Sequence, residues 1–209
     1  VSVTENGGVE ERYGAVNLHV DGDFLIEIPV KQSGLYMDMT ESRFDFESGA
    51  ASRTVSMSTN LSFWNVLEKP SWVSVSPESG EVGEHTLTIN VEDNPNTTKR
   101  EGRVVVGNQG LSLADTLWVT QEGKSFGPLE TVLQFENVAS SNTLDISTDG
   151  DWTVTTSDGW ITVAPSSGHG NGQVTVTVEA NETDNERTGL LSVAVGGTVQ
   201  YVNVVQKGR

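Results

Sequence analysis

Two stretches of the sequence repeat one motif in which two tryptophans, a proline and a final glycine keep identical spacing. WNVLEKPSWVSVSPESG runs from Trp64 to Gly80, and WTVTTSDGWITVAPSSG runs from Trp152 to Gly168. Both obey W-x-V-x5-W-[IV]-[ST]-V-x-P-x-S-G and align without a gap at an offset of 88 residues. Self-similarity at a fixed period is the signature of a repeat protein, so each copy should form one unit of the fold.

The same order of strand signals surrounds each copy of the motif. An opening apolar strand and a Ser/Thr-rich strand precede it, and a strictly alternating strand follows it, HTLTINVE at 85–92 and QVTVTVEA at 173–180. A polar loop, an Arg-x-Gly and two last strands complete each copy. Short β-branched strands with no helical periodicity predict an all-β fold of tandem immunoglobulin-like antiparallel β-sandwiches, with about seven strands each.

The last part of the repeat occurs a third time at the start of the sequence. Arg-x-Gly recurs at Arg12, Arg100 and Arg187, and each is followed by an apolar strand that ends in Gln and then Gly. We therefore predict three regions: residues 1–34 as the C-terminal strands of a truncated preceding repeat, and 35–123 and 124–209 as two sandwiches. The alternative for 1–34 is an extra ribbon of the next domain.

Composition removes several classes of function. The chain has 29 acidic and 12 basic side chains and a net charge of -17, which opposes binding to nucleic acids and to anionic bilayers. It has no cysteine, so disulfides, thiol nucleophiles and thiolate metal sites are absent. No run of eighteen apolar residues occurs, so the sequence predicts no direct membrane insertion.

The motif and its spacing resemble the BACON family of small immunoglobulin-like modules, which is named for its association with carbohydrate binding. The residues that carry the resemblance are Trp152, Val154, WITVAPSSG at 160–168, QVTVTVEAN ending at Asn181, Arg187–Gly189 and VVQKG ending at Gly208. The second repeat departs from the pattern mildly, with Glu78 inside its turn. The resemblance implies a secreted or cell-surface protein of gut bacteria of the Bacteroidetes type, with any signal or anchor upstream of Val1.

Enzymatic chemistry finds little support in the sequence. His19, His85 and His169 stand in or beside strands or turns and have no partner that recurs among the copies, so we predict no catalytic residue and no enzyme. Clustered carboxylates follow the alternating strand and raise calcium as a candidate cofactor. Their spacing differs among the copies, which favours solvated charge and no metal site: Glu5, Glu10 and Glu11; Glu92 and Asp93; Glu179, Glu182, Asp184 and Glu186.

The tryptophans of the motif divide into two pairs. Trp64 and Trp152 stand two residues before Val66 and Val154, and the same register in both copies predicts that all four side chains belong to the structural core. The second pair, Trp72 and Trp160, lies on the strand face opposite Val73 and Ile161. Two interpretations stay open for these rings: they cover one end of the core, or they are partly exposed and contact a sugar.

Two aromatic side chains outside the motif are predicted to point away from the core. Leu117 and Val119 mark the inward face of the last strand in one repeat, which leaves Trp118 outward, and the same alternation places Tyr201 outward in the other. Three interpretations remain for these rings: stacking on a pyranose, packing against a neighbouring repeat, or simple exposure. The candidate carbohydrate-binding residues are therefore Trp118, Tyr201, Trp72 and Trp160.

Two functions fit these observations. The first is a non-catalytic extracellular array that binds carbohydrate, either a polysaccharide or a mucin glycan, and gains avidity from repetition. The second is a structural spacer that positions other domains at the cell surface without a ligand. The expected partners are glycans and neighbouring domains of the same polypeptide, and no cofactor is expected.

Overall fold

The structure, a computed structural model, describes residues 2–127 and 129–209, and within them the regular secondary structure is almost entirely β-strand. The first two strands, β1 (Arg12–Val20) and β2 (Asp23–Gln32), form a two-stranded antiparallel sheet. Alternating strands and a few short turns follow, with one 3-10 turn at Gln109–Leu111. The described residues contain no helix that is long and apolar enough to span a membrane.

The first sandwich is built from nine strands. They are β3 (Met37–Met39), β4 (Arg43–Phe46), β5 (Ala51–Thr59), β6 (Trp64–Glu68), β7 (Val73–Ser76), β8 (Ser79–Gly80), β9 (Gly83–Val91), β10 (Arg100–Asn108) and β11 (Leu113–Gln121). One sheet has the order β4-β11-β10-β6-β8, and the other has the order β3-β5-β9-β7.

The second sandwich repeats this arrangement with eight strands. They are β12 (Val132–Phe135), β13 (Ser140–Ile146), β14 (Asp151–Thr156), β15 (Ile161–Ala164), β16 (Ser167–His169), β17 (Gly172–Val178), β18 (Arg187–Val195) and β19 (Thr198–Gln206). Its sheets have the orders β12-β19-β18-β14-β16 and β13-β17-β15. The predicted all-β fold of tandem immunoglobulin-like sandwiches is confirmed.

Two details differ from a simple seven-stranded antiparallel sandwich. The Ser-Gly that ends each Trp motif forms a short strand of its own, β8 or β16, because it pairs with the Trp-bearing strand: Trp64 lies opposite Gly80, and Trp152 opposite Gly168. The opening strand β12 also runs parallel to the last strand β19. A parallel pair requires a long connection between its strands, and here the whole repeat supplies it.

The core of each repeat follows from strand alternation. In β17, Val174, Val176 and Val178 are buried while the threonines between them are exposed. The indole of Trp152 lies directly over Gly168, so that any side chain at this position would collide with the ring. Trp64 covers Gly80 in the same way, since a Cβ there would lie 2.7 Å from the indole. The motif therefore requires glycine at this position, because a larger residue would leave no room for the indole.

Contact density divides the chain into two compact units. One comprises residues through 44 together with Ala51–Glu92 and Gly102–Val119, and the other comprises Asp45–Ala50, Asp93–Glu101 and Thr120–Arg209. Two short segments of the first repeat, Asp45–Ala50 and Asp93–Glu101, therefore belong to the second unit.

Candidate carbohydrate-binding surface

Tyr201 stands on the outer face of the five-stranded sheet in the second sandwich. It belongs to β19, where Val202 and Val204 point into the core and are fully buried, so alternation turns Tyr201 outward with 58% of its surface exposed. Across the sheet it pairs with Ser192 of β18, which in turn pairs with Thr155 of β14. One row of the sheet therefore presents a phenol ring beside two hydroxyl groups.

The rows on either side of Tyr201 are largely apolar. We call these three rows the Tyr201 surface: Thr155, Ser192 and Tyr201; Thr153, Ala194 and Val199; Leu190, Asn203 and Val132. Val132, Leu190 and Val199 are each exposed by at least 40%. All nine positions are uncharged, although the chain as a whole carries a net charge of -17. The surface thus combines an aromatic ring, exposed aliphatic groups and neutral hydrogen-bonding groups.

Trp118 occupies the outer face of the corresponding sheet in the first sandwich. It lies between the fully buried Leu117 and Val119 and is 47% exposed, while its backbone N–H donates to the carbonyl of Ser42 over 2.9 Å. The neighbouring strand β10 carries Arg103, which binds both carboxylate oxygens of Glu68 at 2.9 and 2.8 Å. The pair also holds the pKa of Glu68 below its ordinary value through the hydrogen bond from Arg103. The surroundings of Trp118 are therefore more charged than the Tyr201 surface.

Trp72 and Trp160 are half-buried. Trp160 packs against the core of the second sandwich, and the guanidinium of Arg187 lies 4.2 Å from its ring centroid. One face of this indole is thus occupied by a cation, which leaves less of the ring for a sugar than an open platform would offer. The backbone carbonyl of Trp72 accepts from the N–H of Glu92 over 3.0 Å, and that of Trp160 accepts from Glu179 in the same way.

The tryptophans assigned to the core lie there. Trp64 is completely buried and donates from Nε1 to the carbonyl of Glu81 over 3.2 Å, and Trp152 is 3% exposed and donates to the carbonyl of Gly170 over 2.9 Å. Val154 is buried, whereas Val66 is only half-buried. The pairing of β10 with β6 shifts register between Val105 and Val106, and Val66 lies opposite Val106 at this irregularity.

The histidines each make a local contact. The ring of His85 packs edge-on against Trp64 at 5.0 Å, and the ring of His19 packs against Phe24 at 5.8 Å. His169 lies 2.8 Å from the carboxylate of Asp151, and both side chains are largely exposed. Such contacts hold strand ends and turns in place.

The acidic loops do not converge on a common point. Asp93 forms an ion pair with Lys124 at 2.6 Å, and Glu11 forms one with Lys31 at 2.7 Å. Within residues 2–127 and 129–209, no three acidic or histidine side chains are grouped so that they could hold a metal ion.

Sequence reasoning named Tyr201 but missed its neighbours. Val132, Leu190 and Val199 complete the apolar part of the surface, and they come from three different strands. For Leu190 a signal was available, since it stands between Gly189 and Leu191, which are both buried. Only the cross-strand register brings the three together.

Comparisons with known proteins identify the module. A family model described as the viral BACON domain matches residues 36–124 and 128–209. The xyloglucan-specific endo-beta-1,4-glucanase BoGH5A of Bacteroides ovatus is 35% identical over 75 residues, which are 35% of this chain and 15% of the enzyme. The chain thus spans less than a fifth of the length of this curated relative.

Solved structures that match parts of the chain include the Bacteroides ovatus GH5 xyloglucanase in complex with a XXXG heptasaccharide. It is 30% identical over 42% of this chain and 19% of that chain, with a TM-score of 0.39. The I9-I11 tandem from titin is 11% identical over 93% of this chain and 74% of that chain, with a TM-score of 0.43.

Proposed function

Because residues 36–124 and 128–209 belong to the BACON family, which consists of non-catalytic modules, we propose that the chain is a carbohydrate-binding array. It acts outside a cell or on the surface of a virus particle. Its ligand is a neutral polysaccharide. The Tyr201 surface binds the sugar chain in the second sandwich, and Trp118 provides a second, weaker contact in the first.

The observation that carries this proposal is the composition of the Tyr201 surface. A pyranose has apolar C–H faces and hydroxyl groups around its rim. An exposed phenol ring suits the first, and the hydroxyl and amide groups of Ser192, Thr155 and Asn203 suit the second. Because the face of a sheet is broad and open, it fits an extended chain better than a single buried sugar.

The negative charge of the chain favours neutral glycans over acidic ones. A net charge of -17 repels sulfated, sialylated and uronic-acid polymers, whereas a neutral polysaccharide meets no such penalty. The absence of charge at all nine positions of the Tyr201 surface supports the same choice. Xyloglucan is the first polymer to test, since the Bacteroides ovatus relative is a xyloglucan-specific glucanase.

A spacer role is the competing function, and the covered ring of Trp160 favours it. If Trp72 and Trp160 only stabilise the fold, each sandwich has few exposed aromatic groups with which to bind a sugar. Binding by a single module is then weak. Two modules in one chain then gain avidity only if both bind the same polymer.

The test is affinity electrophoresis and calorimetry against xyloglucan, other neutral β-glucans, and mucin before and after removal of its sialic acid and sulfate. We expect retardation by at least one neutral polymer. Tyr201→Ala should weaken binding about 2- to 13-fold, in line with the loss of about 0.5–1.5 kcal/mol of aromatic stacking. Trp118→Ala should have a smaller effect.

The matched control is Tyr36→Ala, which removes a tyrosine that is also exposed but lies outside the Tyr201 surface. Its binding should equal that of the wild type. If no neutral polymer retards the wild type, the array does not bind carbohydrate and the spacer function stands. Equal losses in both tyrosine variants would show that the Tyr201 surface is not the binding site.

A further inference from the structure

The N-terminal segment repeats several contacts that also occur in the last half of both complete repeats. One example is a buried or partly buried asparagine in the loop before the Arg-x-Gly. Asn6, Asn94 and Asn181 each donate from Nδ2 to the carbonyl four residues later, over 2.8, 3.0 and 2.8 Å. Each also donates to the carbonyl of the residue that follows the glutamine of the last strand: Ser33, Glu122 and Lys207.

The closing turn of the segment matches as well. The N–H of Leu35 donates to the carbonyl of Gly8 over 2.8 Å, as Lys124 does to Asn96 over 2.7 Å and Arg209 to Thr183 over 2.8 Å. Just before these donors stand Gly34, Gly123 and Gly208, and at all three the loop backbone leaves no room for a side chain.

The two strands of the segment carry the third matching contact. Arg12 donates from Nε to Oε1 of Gln32 over 2.7 Å, and Arg100–Gln121 and Arg187–Gln206 repeat this bond at 2.9 and 2.8 Å. The β1–β2 ribbon is therefore equivalent to β10–β11 and to β18–β19. This equivalence fixes which of its faces would be the inner one.

That inner face is apolar and exposed. Leu18 and Ile28 are 44% and 45% exposed, whereas the residues at the equivalent positions of the second sandwich, Val193 and Val202, are fully buried. Val16 and Val30 continue the same stripe. Beside it lies a cavity of about 430 Å³ that Val3, Val16 and Val30 help to line. The segment thus presents one wall of a sandwich core without the other.

The complete repeats show what covers this face. In the second sandwich the core contains Leu133, Phe135, Leu144, Ile146, Trp152 and Val174 together with the buried side of β18 and β19. These residues come from the opening strand, the Ser/Thr-rich strand, the Trp motif and the alternating strand. Exposed apolar faces of this kind mark sites of association.

We propose that residues 2–35 are the acceptor half of a third BACON fold, and that their apolar face binds the first half of a repeat supplied by the same polypeptide ahead of this segment. The occupant carries a Trp motif and the strand pattern of β12–β17. It supplies the main-chain carbonyls that accept from the amide of Gln32, as Glu136 and Val138 do for Gln206. This inference is independent of carbohydrate binding.

The test uses the full chain and a fusion in which residues 124–176 are placed directly before Ser2, the junction set by the equivalence of Arg12 with Arg187. In the full chain alone we expect rapid hydrogen exchange at the outer edges of β1 and β2 and binding of a dye specific for apolar surfaces. In the fusion we expect exchange in both strands to slow at least 100-fold and dye binding to fall.

Two variants of the fusion make the result specific. Ile28→Asp places a charge on the inner face and should abolish the added protection, while Asn17→Lys, which places a charge on the outer face opposite Glu27, should leave it intact. The proposal is wrong if the fusion gives no added protection. It is also wrong if the full chain alone already protects β1 and β2, either as a monomer or in a concentration-dependent manner through a second copy.

Discussion

Arg187 donates from Nε to Oε1 of Gln206 over 2.8 Å, across the paired ends of β18 and β19. The guanidinium also donates to the carbonyl of Glu179 at 2.7 Å, while the amide of the fully buried Gln206 donates to the carbonyls of Glu136, Val138 and Glu179 at 3.0 to 3.3 Å. One side-chain pair thus joins the opening strand, the alternating strand and the last two strands of the repeat.

Replacing Gln206 by alanine should destabilise the second sandwich by about 2–4 kcal/mol. The change removes the hydrogen bonds from the buried amide to the carbonyls of Glu136, Val138 and Glu179, and it also removes the acceptor of Arg187 Nε. A group that loses its partner in a buried setting costs about 1–3 kcal/mol. Chemical denaturation followed by circular dichroism measures the effect. As a control, Gln173→Ala removes an exposed glutamine bound to Asp145 and should cost less than about 0.5 kcal/mol. Similar costs for the two variants would contradict the prediction.

A methyl group at Gly168 should also destabilise this sandwich, by about 1–3 kcal/mol. The indole of Trp152 lies against this glycine, so that the added Cβ overpacks the core. Gly159→Ala is the matched control, because nothing lies within 4 Å of a Cβ at that position. Thermal unfolding should show a lower midpoint for Gly168→Ala alone. A fold that tolerates both alanines equally would rule out the proposed role of the motif glycine.

The carboxylate of Asp149 should make stability depend on pH in acid. Despite an opposing effect of burial, hydrogen bonds from Ser48 and Ser125 lower its pKa to about 2, and the Ser48 hydroxyl donates over 2.5 Å. Because the folded-state pKa is depressed, the contribution is complete above the unfolded value of 3.8 and is lost as the pH falls through about 2.

Asp149→Asn tests this dependence. Since Asp149 is exposed to solvent, screening limits the expected loss of stability at neutral pH to about 1 kcal/mol or less. The difference from the wild type should shrink between pH 4 and pH 2 in denaturation curves, where the wild-type carboxylate becomes protonated. Asp184→Asn provides an exposed control. A difference that stays constant down to pH 2 would exclude the carboxylate as its source.

Calcium should leave the thermal midpoint unchanged. The described residues contain no group of three acidic or histidine side chains placed to hold a metal, and Asp93 is already paired with Lys124. Scanning calorimetry with millimolar calcium and with a chelator should give midpoints within about 1 °C of each other, since only a ligand that binds the folded state raises the midpoint. A rise with calcium that Glu179→Gln removes would reveal a metal site.

The tandem all-β fold was predictable because strand alternation and the repeated Trp motif report on burial directly. The same alternation turned Tyr201 and Trp118 outward. It failed to anticipate the half-exposure of Val66, because the register shift beside Val106 is a property of the strand pairing. Val154, which lies in a regular register opposite Val193, is buried.

The Tyr201 surface could be predicted only in part. Its ring was visible in the sequence, but Leu190 and Val132 join it only because both pair with Asn203, and Val132 comes from β12 at the other end of the repeat. Likewise, the Arg-x-Gly and the final Gln recur three times in the sequence, yet their hydrogen bond appears only once the strands are paired. Neither long-range register nor side-chain partners can be read from local pattern alone.

The glycine that closes each repeat has a consequence for how such proteins grow. At Gly34, Gly123 and Gly208 the backbone lies so close to the loop before the Arg-x-Gly that only glycine fits, and the N–H of the following residue donates to that loop. A duplication or deletion with its breakpoints here would keep this closing contact, because the loop and the glycine belong to the same copy and the donor is a backbone N–H that any residue except proline supplies. The number of copies can therefore change during evolution by recombination at this one position, while each copy keeps its own fold.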